Sequence, residues 1–553
     1  MAELLDQSPT VKKNKAFGKL TNRLPSWRSL LILWLPAFVG AGIVLLPIIY
    51  LFLRALDTSG NAWNTVLQVE TLDTISRTLW LAFSVTAASI GIAVPIAWLT
   101  VRTDLPFKKM WAILTPLPLV IPSYVGAYLM VSTIGPKGLF QGWLEGLIGL
   151  EKLPEIYGFP GAMLILTLLS YPFVLLSTRT AMLSMDPALE EAAHGLGLSA
   201  WTTFWRITFP QLRPAIAAGG LLVALYVLRD FGAVSIMRYN TFTRIIYVSY
   251  QSSFDRSTGA GLALVLVSLA VLILALELWT RGRAKYYSGA KSKRPINIIA
   301  LGNWRWPALL FCAAVVLMAV IIPTGILVYW LMRGIESGEQ LNSIWLPMRN
   351  SVTASALAAG ATLLVALPIA IVHTRYPNFL SRILERISYI AFALPGIVIA
   401  LALVFFGANY ALPFYQTLPL LILAYAILFL PEAVGSLQTS LVQIHPNMEE
   451  AGRSLGHQPL RVFQKITLPL IRPGFVAGAG LVFLTTMKEL PATLILAPFG
   501  FKTLATDIWG HVSEAFFAKA AVPALALILV SSVPMALLII RDIKGNSSSS
   551  SSS

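Results

Sequence analysis

The sequence predicts an all-α polytopic membrane protein with about twelve transmembrane helices in two homologous halves. Three observations predict it. Of 553 residues, 56% are hydrophobic and only 12% charged, against roughly 25% charged in soluble proteins. Apolar runs of the length needed to cross about 30 Å of hydrocarbon fall near 29–53, 77–101, 110–133, 160–183, 212–237, 259–280, 307–332, 350–373, 385–408, 417–441, 471–497 and 519–540. Finally, DPALEEAAHGLGLSAWTTFWRITFPQLRP (186–214) returns 259 residues later as HPNMEEAGRSLGHQPLRVFQKITLPLIRP (445–473).

Residues 1–28 read as a basic cytoplasmic tail, and 29–280 as the first half with a core over about 70–280. The first apolar run has no small-residue cleavage pattern after it, so it reads as a retained anchor helix. The outer segment 54–76 reads as a solvated loop. The stretch 76–106 parallels 349–377, aligning Pro95-Ile96-Ala97 with Pro368-Ile369-Ala370. Both are rich in small residues that permit close helix contact in lipid, which places them in the packed centre. Prolines such as Pro122, Pro172 and Pro395 are expected to break the third, fourth and ninth spans.

Pro122 and Pro395 pair at an offset of 273, against 259 for the long repeat, so the first half holds 14 extra residues between these points. They fall in the outer loop around 134–159, where Trp143, Leu144, Leu147, Ile148 and Leu150 follow a helical rhythm. Residues 281–305, basic and glycine-bearing, read as a cytoplasmic linker. A second half follows over 306–541 with a core over about 345–541. Residues 542–553 end in a serine run and are expected to be disordered.

Each copy of the long repeat reads as helix, glycine bend, helix. Asp186 or His445 lies near the cap, Pro187 or Pro446 falls in the first turn, and an acidic pair sits at the positive end of the dipole. Gly197 and Gly456 make the bend, and the second short helix is expected to end at Phe209-Pro210 or Leu468-Pro469. The copies resemble the EAA loop of binding-protein-dependent ABC importers, the cytoplasmic segment of the membrane subunit that docks into a cleft on the ATPase. That resemblance covers nearly all the chain after residue 70 and implies the fold of a type I ABC importer permease. It implies ATPase-coupling roles for Glu190, Glu191, Ala192, Ala193 and Gly197, and for Glu449, Glu450, Ala451, Gly452 and Gly456.

The formal charge of +16 does not mark a nucleic-acid binder, because the basic residues are spread along short loops. With both termini inside, cytoplasmic segments carry Lys12, Lys13, Lys15, Lys19, Arg23 and Arg28, then Arg102, Lys108 and Lys109, then much of 281–305, as the positive-inside rule expects. The same orientation puts both repeat loops in the cytoplasm. No phosphate-cradling G-x-x-x-x-G-K-[ST] loop is present, so ATP and Mg are expected on partner subunits and no cofactor on this chain. Cys312 reads as a small apolar residue. The histidines His194, His373, His445, His457 and His511 lack metal-ligand spacing, and no catalytic residue is identified.

Charges inside membrane spans are costly and face protein or water. Arg229-Asp230 and Lys488-Glu489 pair at the same offset of 259. On one reading each dyad locks its helix against a neighbour by hydrogen bonds; on the other the carboxylates line the translocation pathway. Glu277 and Glu432 read as structural or interfacial. The segments 229–261 and 488–525 resemble the fused two-half ferric-iron permeases of bacterial inner membranes. This implies import of ferric iron from a periplasmic ferric-iron-binding protein, driven by two copies of a cytoplasmic ABC ATPase, through a multi-pass inner-membrane subunit. Fused thiamine permeases are the near alternative, and a secondary transporter or channel the alternative of another class. No metal-binding residues are identified, although hard Fe(III) suits oxygen ligands.

Overall fold

A computed structural model describes residues 27–57, 69–136, 138–141, 145, 155–186, 188–252, 257–283, 298–338 and 344–548. The first half contains α1 (Trp27–Asp57), α2 (Val69–Arg102), α3 (Lys108–Leu114), α4 (Ser123–Ile134), α5 (Phe159–Ser184), α6 (Ala188–Gly195), α7 (Phe209–Arg229), α8 (Gly232–Ile236), α9 (Phe242–Ser252) and α10 (Ser257–Arg283). The second contains α11 (Arg305–Val316), α12 (Ile322–Glu336), α13 (Trp345–Arg375), α14 (Phe379–Ile390), α15 (Gly396–Tyr410), α16 (Leu418–Val442), α17 (Pro446–Ser454), α18 (Leu468–Met487), α19 (Pro491–Leu496), α20 (Leu504–Ser513) and α21 (Phe517–Ser548). No strand occurs among the described residues; one isolated bridge joins Thr103 to Ile299.

Nine described helices are long and apolar enough to span a membrane, and two bent pairs raise this to eleven. The twelfth expected span, 519–540, corresponds to α21, whose described apolar stretch Phe517–Ser532 is shorter. α21 also continues to Ser548, into the stretch expected to be disordered from 542. The α2 helix begins at Val69, so the end of the segment read as an outer loop is helical. Trp143, Leu144, Leu147, Ile148 and Leu150 lie outside the described residues.

Pro122 and Pro395 break their spans as expected, α14 and α15 meeting at 106°. Pro172 does not: α5 runs unbroken from Phe159 to Ser184. Buried Ser170, Tyr171 and Val174 hold α5 against its neighbours, and packing of that kind carries a helix through a proline. The expected stops at Pro210 and Pro469 are also absent. Each proline stands one residue past a π-helical turn, Phe204–Thr208 or Phe463–Thr467, and the helix passes through it into the membrane as one span, Trp201–Arg229 or Pro459–Met487. The wider turn closes i→i−5 bonds, as from Phe209 N–H to the Phe204 carbonyl, and so accommodates a proline that lacks an N–H. The fifth and eleventh spans then stop earlier than expected, at Arg229 and Met487 instead of 237 and 497.

The centre of each half is the pair α2–α5 or α13–α16. Small buried residues make the close approach possible: Ala82, Ser89, Ala93 and Ala97 in α2, and Ala354, Ala358, Thr362 and Ala366 in α13. Ser89 and Ser170 hydroxyls meet at 3.4 Å. The halves also embrace one another. α1 lies against α13 and α15 of the second half, with Tyr50 and Phe405 rings 4.6 Å apart and Gly40 close to Val365. In turn α12 and α21 lie against α4 of the first half, where Tyr128 stacks on Phe517 at 5.9 Å.

Candidate functional site

The repeated loops form as helix, bend, helix. Asp186 Oδ1 accepts from the Ala188 N–H at 3.0 Å, and His445 Nδ1 from the Asn447 N–H at 3.3 Å, which caps both first helices. The bend glycines have φ of +80° at Gly197 and +82° at Gly456, in open space, so glycine is required there by backbone conformation and not by crowding. The acidic pairs divide their labour. Glu190 turns inward, accepting from Arg102 Nη1 at 2.9 Å and Thr208 Oγ1 at 2.7 Å. Glu449 does the same with Arg375 Nη2 at 2.9 Å and Thr467 Oγ1 at 3.0 Å. Glu191 and Glu450 are exposed, as are Ala192 and Ala451, while Ala193 and Gly452 are buried. A Cβ on Gly452 would come within 2.7 Å of Ile466 and 3.2 Å of Val462. The smaller Thr203 stands where the second half has Val462, and there the first half carries Ala193.

Arg102 and Arg375 each end the repeated central helix, α2 or α13, and bolt it to the loop. The sequence reading counted Arg102 only as a cytoplasmic charge and missed Arg375, Thr208 and Thr467. The signal lay in the repeat itself, since Arg102 and Arg375 pair at 273 and the threonines at 259. On its outer side each loop presents apolar side chains at equivalent positions: Leu189, Leu196 and Trp201 in one, Met448, Leu455 and Leu460 in the other, all exposed. Exposed side chains of this kind in a loop bolted to the bundle form an apolar contact surface on each half.

The charged dyads sit where α7 and α18 stop, and neither is an internal ion pair among the described contacts. Asp230 Oδ1 accepts from the N–H groups of Ala233 at 2.9 Å and Val234 at 3.3 Å, capping α8. Glu489 Oε1 accepts from the Ala492 N–H at 3.1 Å at the start of α19. The cations cross to the opposite half. Arg229 Nη1 donates to the Phe392 carbonyl at 3.2 Å, its guanidinium 5.6 Å from that ring, and Lys488 Nζ donates to the Leu119 carbonyl at 2.6 Å. Leu119 and Phe392 pair at 273, so the two contacts are images of each other.

Arg229, Lys488, Glu489 and Glu432 lie deep in the bundle yet keep some open surface, while Asp230 is buried. Glu432 lies on α16, packed against α18, and accepts from Thr485 Oγ1 at 3.0 Å one turn before Lys488; its charge acts on Lys488 and, after that of Glu489, on Arg229. It therefore belongs to the central group and is not an interfacial residue; its first-half equivalent is Phe173, so the repeat carried no signal for it. Beside the group, Phe231, Tyr247 and Trp509 pack together across the two halves, with Phe231 and Trp509 rings 5.2 Å apart. Among the described residues no three His, Cys, Asp or Glu side chains converge as a metal site.

A two-fold repeated helical bundle with a bolted apolar loop on each half and charged breaks in the facing spans defines the membrane subunit of a transport system. The chain belongs to the family described as binding-protein-dependent transport system inner membrane components, whose model matches residues 147–281 and 362–541. It is thus an ABC importer permease with both halves fused, integral to the membrane. It is 35% identical over 524 residues to the Fe(3+)-transport system permease protein FbpB 2 of Haemophilus influenzae, covering 94% of this chain and 99% of that one. It is 24% identical over 495 residues to the ferric transport system permease protein FbpB of Actinobacillus pleuropneumoniae, covering 85% of this chain and 70% of the relative. The probable sulfate transport system permease protein cysT of Marchantia polymorpha is 27% identical over 255 residues, 44% of this chain and 86% of its own.

Proposed function

We propose that this permease carries ferric iron into the cytoplasm by ATP-driven alternating access, receiving it from a periplasmic ferric-iron-binding protein and working with two copies of an ABC ATPase. The observation that carries the cargo is the end-to-end similarity to a permease named for Fe(3+) transport, whereas the sulfate-named relative matches less than half of the chain. The repeated loops, rigidly held and apolar outside, support ATPase docking at two places. The route runs between the halves past Arg229, Asp230, Glu432, Lys488 and Glu489. Carboxylates suit a hard trivalent ion.

Both termini and both loops are assigned to the cytoplasm. Support comes from the linker: Ile299 donates to the Arg102 carbonyl at 2.8 Å, and Leu301 donates to Asp104 Oδ1 at 2.8 Å, so the linker lies beside the Arg102–Glu190 bolt. Proteoliposomes holding the permease, its ATPase and its binding protein are expected to accumulate radioiron only with ATP, and not thiamine or sulfate. Accumulation of thiamine, or of iron without ATP, overturns the reading.

A further inference from the structure

The central contacts follow from two prolines. The segments before the breaks are 3-10 turns, Leu117–Val120 and Ala391–Ala393, in which a carbonyl accepts from the N–H three residues on. For Leu119 and Phe392 that residue is Pro122 and Pro395, which have no N–H. Each half therefore carries, deep in the bundle, one carbonyl deprived of its local donor, where water is scarce and an unpaired group is costly. Lys488 and Arg229 supply the missing donors from the opposite half. Their sequence neighbours Glu489 and Asp230 are occupied with the N–H groups of α19 and α8. Glu432 has one oxygen on Thr485, while no hydrogen bond from a described residue reaches Oε1. It lies on α16 packed against α18, and Thr485, which it holds, stands one turn before Lys488.

We propose that Arg229 and Lys488 are a pair of withdrawable pins holding the two halves closed at the broken spans, and that Glu432 is the seat to which they move when the halves part. The inference rests on the alternating-access reading above. While seated, the pins place two positive charges on the route and cross-link its walls, so a free cation meets both a tie and a like charge. Withdrawal removes both together. Because the seat exists only in the second half, the cations leave towards α16 and not symmetrically. The aromatic contact of Phe231, Tyr247 and Trp509 lies next to the pins and parts with them.

The test uses the full chain in nanodiscs, without ATPase or iron, carrying spin labels at Asn240 and Phe499, which are exposed in opposite halves. Distance distributions report the share of separated halves. Arg229→Gln and Lys488→Gln are each expected to raise that share about ten-fold, the scale of a lost hydrogen bond to a charged group; the double variant raises it further and Lys488→Arg restores it. Unchanged distances in a double variant that melts like the parent overturn the proposal. If the double variant does not fold, Glu432→Gln decides: with ATPase and ATP the separated share is expected to fall at least several-fold, and an unchanged share overturns the seat. Normal pin behaviour in a chain that fails to carry iron counts against the cargo and leaves the pins standing.

Discussion

The two repeated loops share one skeleton and differ in what surrounds it. Arg102, Glu190 and Thr208 form the same triangle as Arg375, Glu449 and Thr467. Beyond the triangle, Glu449 has a further cation, Arg453, at 4.0 Å, and Arg375 also donates to the Ile444 carbonyl at 3.2 Å. The first loop instead has the linker at its back, held by Asp104, whose counterpart in the second half is Pro377. The contact surfaces differ as well, Trp201 and Trp205 standing where the second half has Leu460 and Gln464. A repeat thus preserves the fixings that set loop position and varies the parts that meet other segments.

The sharpest way to break the comparison is to pull the bolts. Arg102→Ala removes the cation of a nearly buried pair and should destabilise the first half by about 3 kcal/mol, within the range for an uncompensated buried partner. Arg375→Ala should cost less, since Arg453 still reaches Glu449. Thermal melting of the purified permease, with capture of the ATPase as a second readout, tests the order; equal losses would mean that Arg453 contributes nothing.

The bends should behave alike. Gly197→Val and Gly456→Val force a β-branched residue to positive φ in open space, for roughly 1–3 kcal/mol each. Asparagine at either position should be milder. ATPase capture is expected to fall similarly in both valine variants with membrane insertion unchanged, and a loss confined to one loop would show that the two do not share the docking load.

The smallest effect is expected at the linker. Asp104 is held below the usual carboxylate range, first by the Leu301 N–H and then by Arg305 at 3.2 Å. A lowered value means the clasp has full strength above the ordinary carboxylate titration and is lost as pH falls through the folded value, so it should be constant from pH 5 to 8 on ordinary carboxylate values. Asp104→Ala should speed amide exchange at Ile299 and Leu301, Asp104→Asn much less, and neither should alter the second loop. Exchange that stays slow in the alanine variant would leave the backbone bridge as the whole attachment.

The fold was largely legible because hydrophobic length and the repeat are both one-dimensional signals. The loops were legible for the same reason: Glu190 and Glu449, with Gly197 and Gly456, sit at fixed spacings. What failed was local. Pro172, Pro210 and Pro469 read as breaks, yet packing and a π turn carry the helix through them, and neither is written in a proline's immediate neighbours. Arg229 and Lys488 were visible as a pair, but their acceptors are backbone carbonyls 163 and 369 residues away. A carbonyl has no letter in the sequence; the prolines that free it were read as breaks only.

The embrace of the halves has a consequence for how the chain is made. The apolar face that α1 turns toward α13 and α15 has no partner until the ribosome has passed Tyr410, more than 300 residues later. At bacterial elongation rates that interval is on the order of 15 to 70 s. During it the newborn first helix must wait in lipid beside α10 or under the care of the insertion machinery, so slowing synthesis between the halves lengthens the most exposed period in the life of this protein.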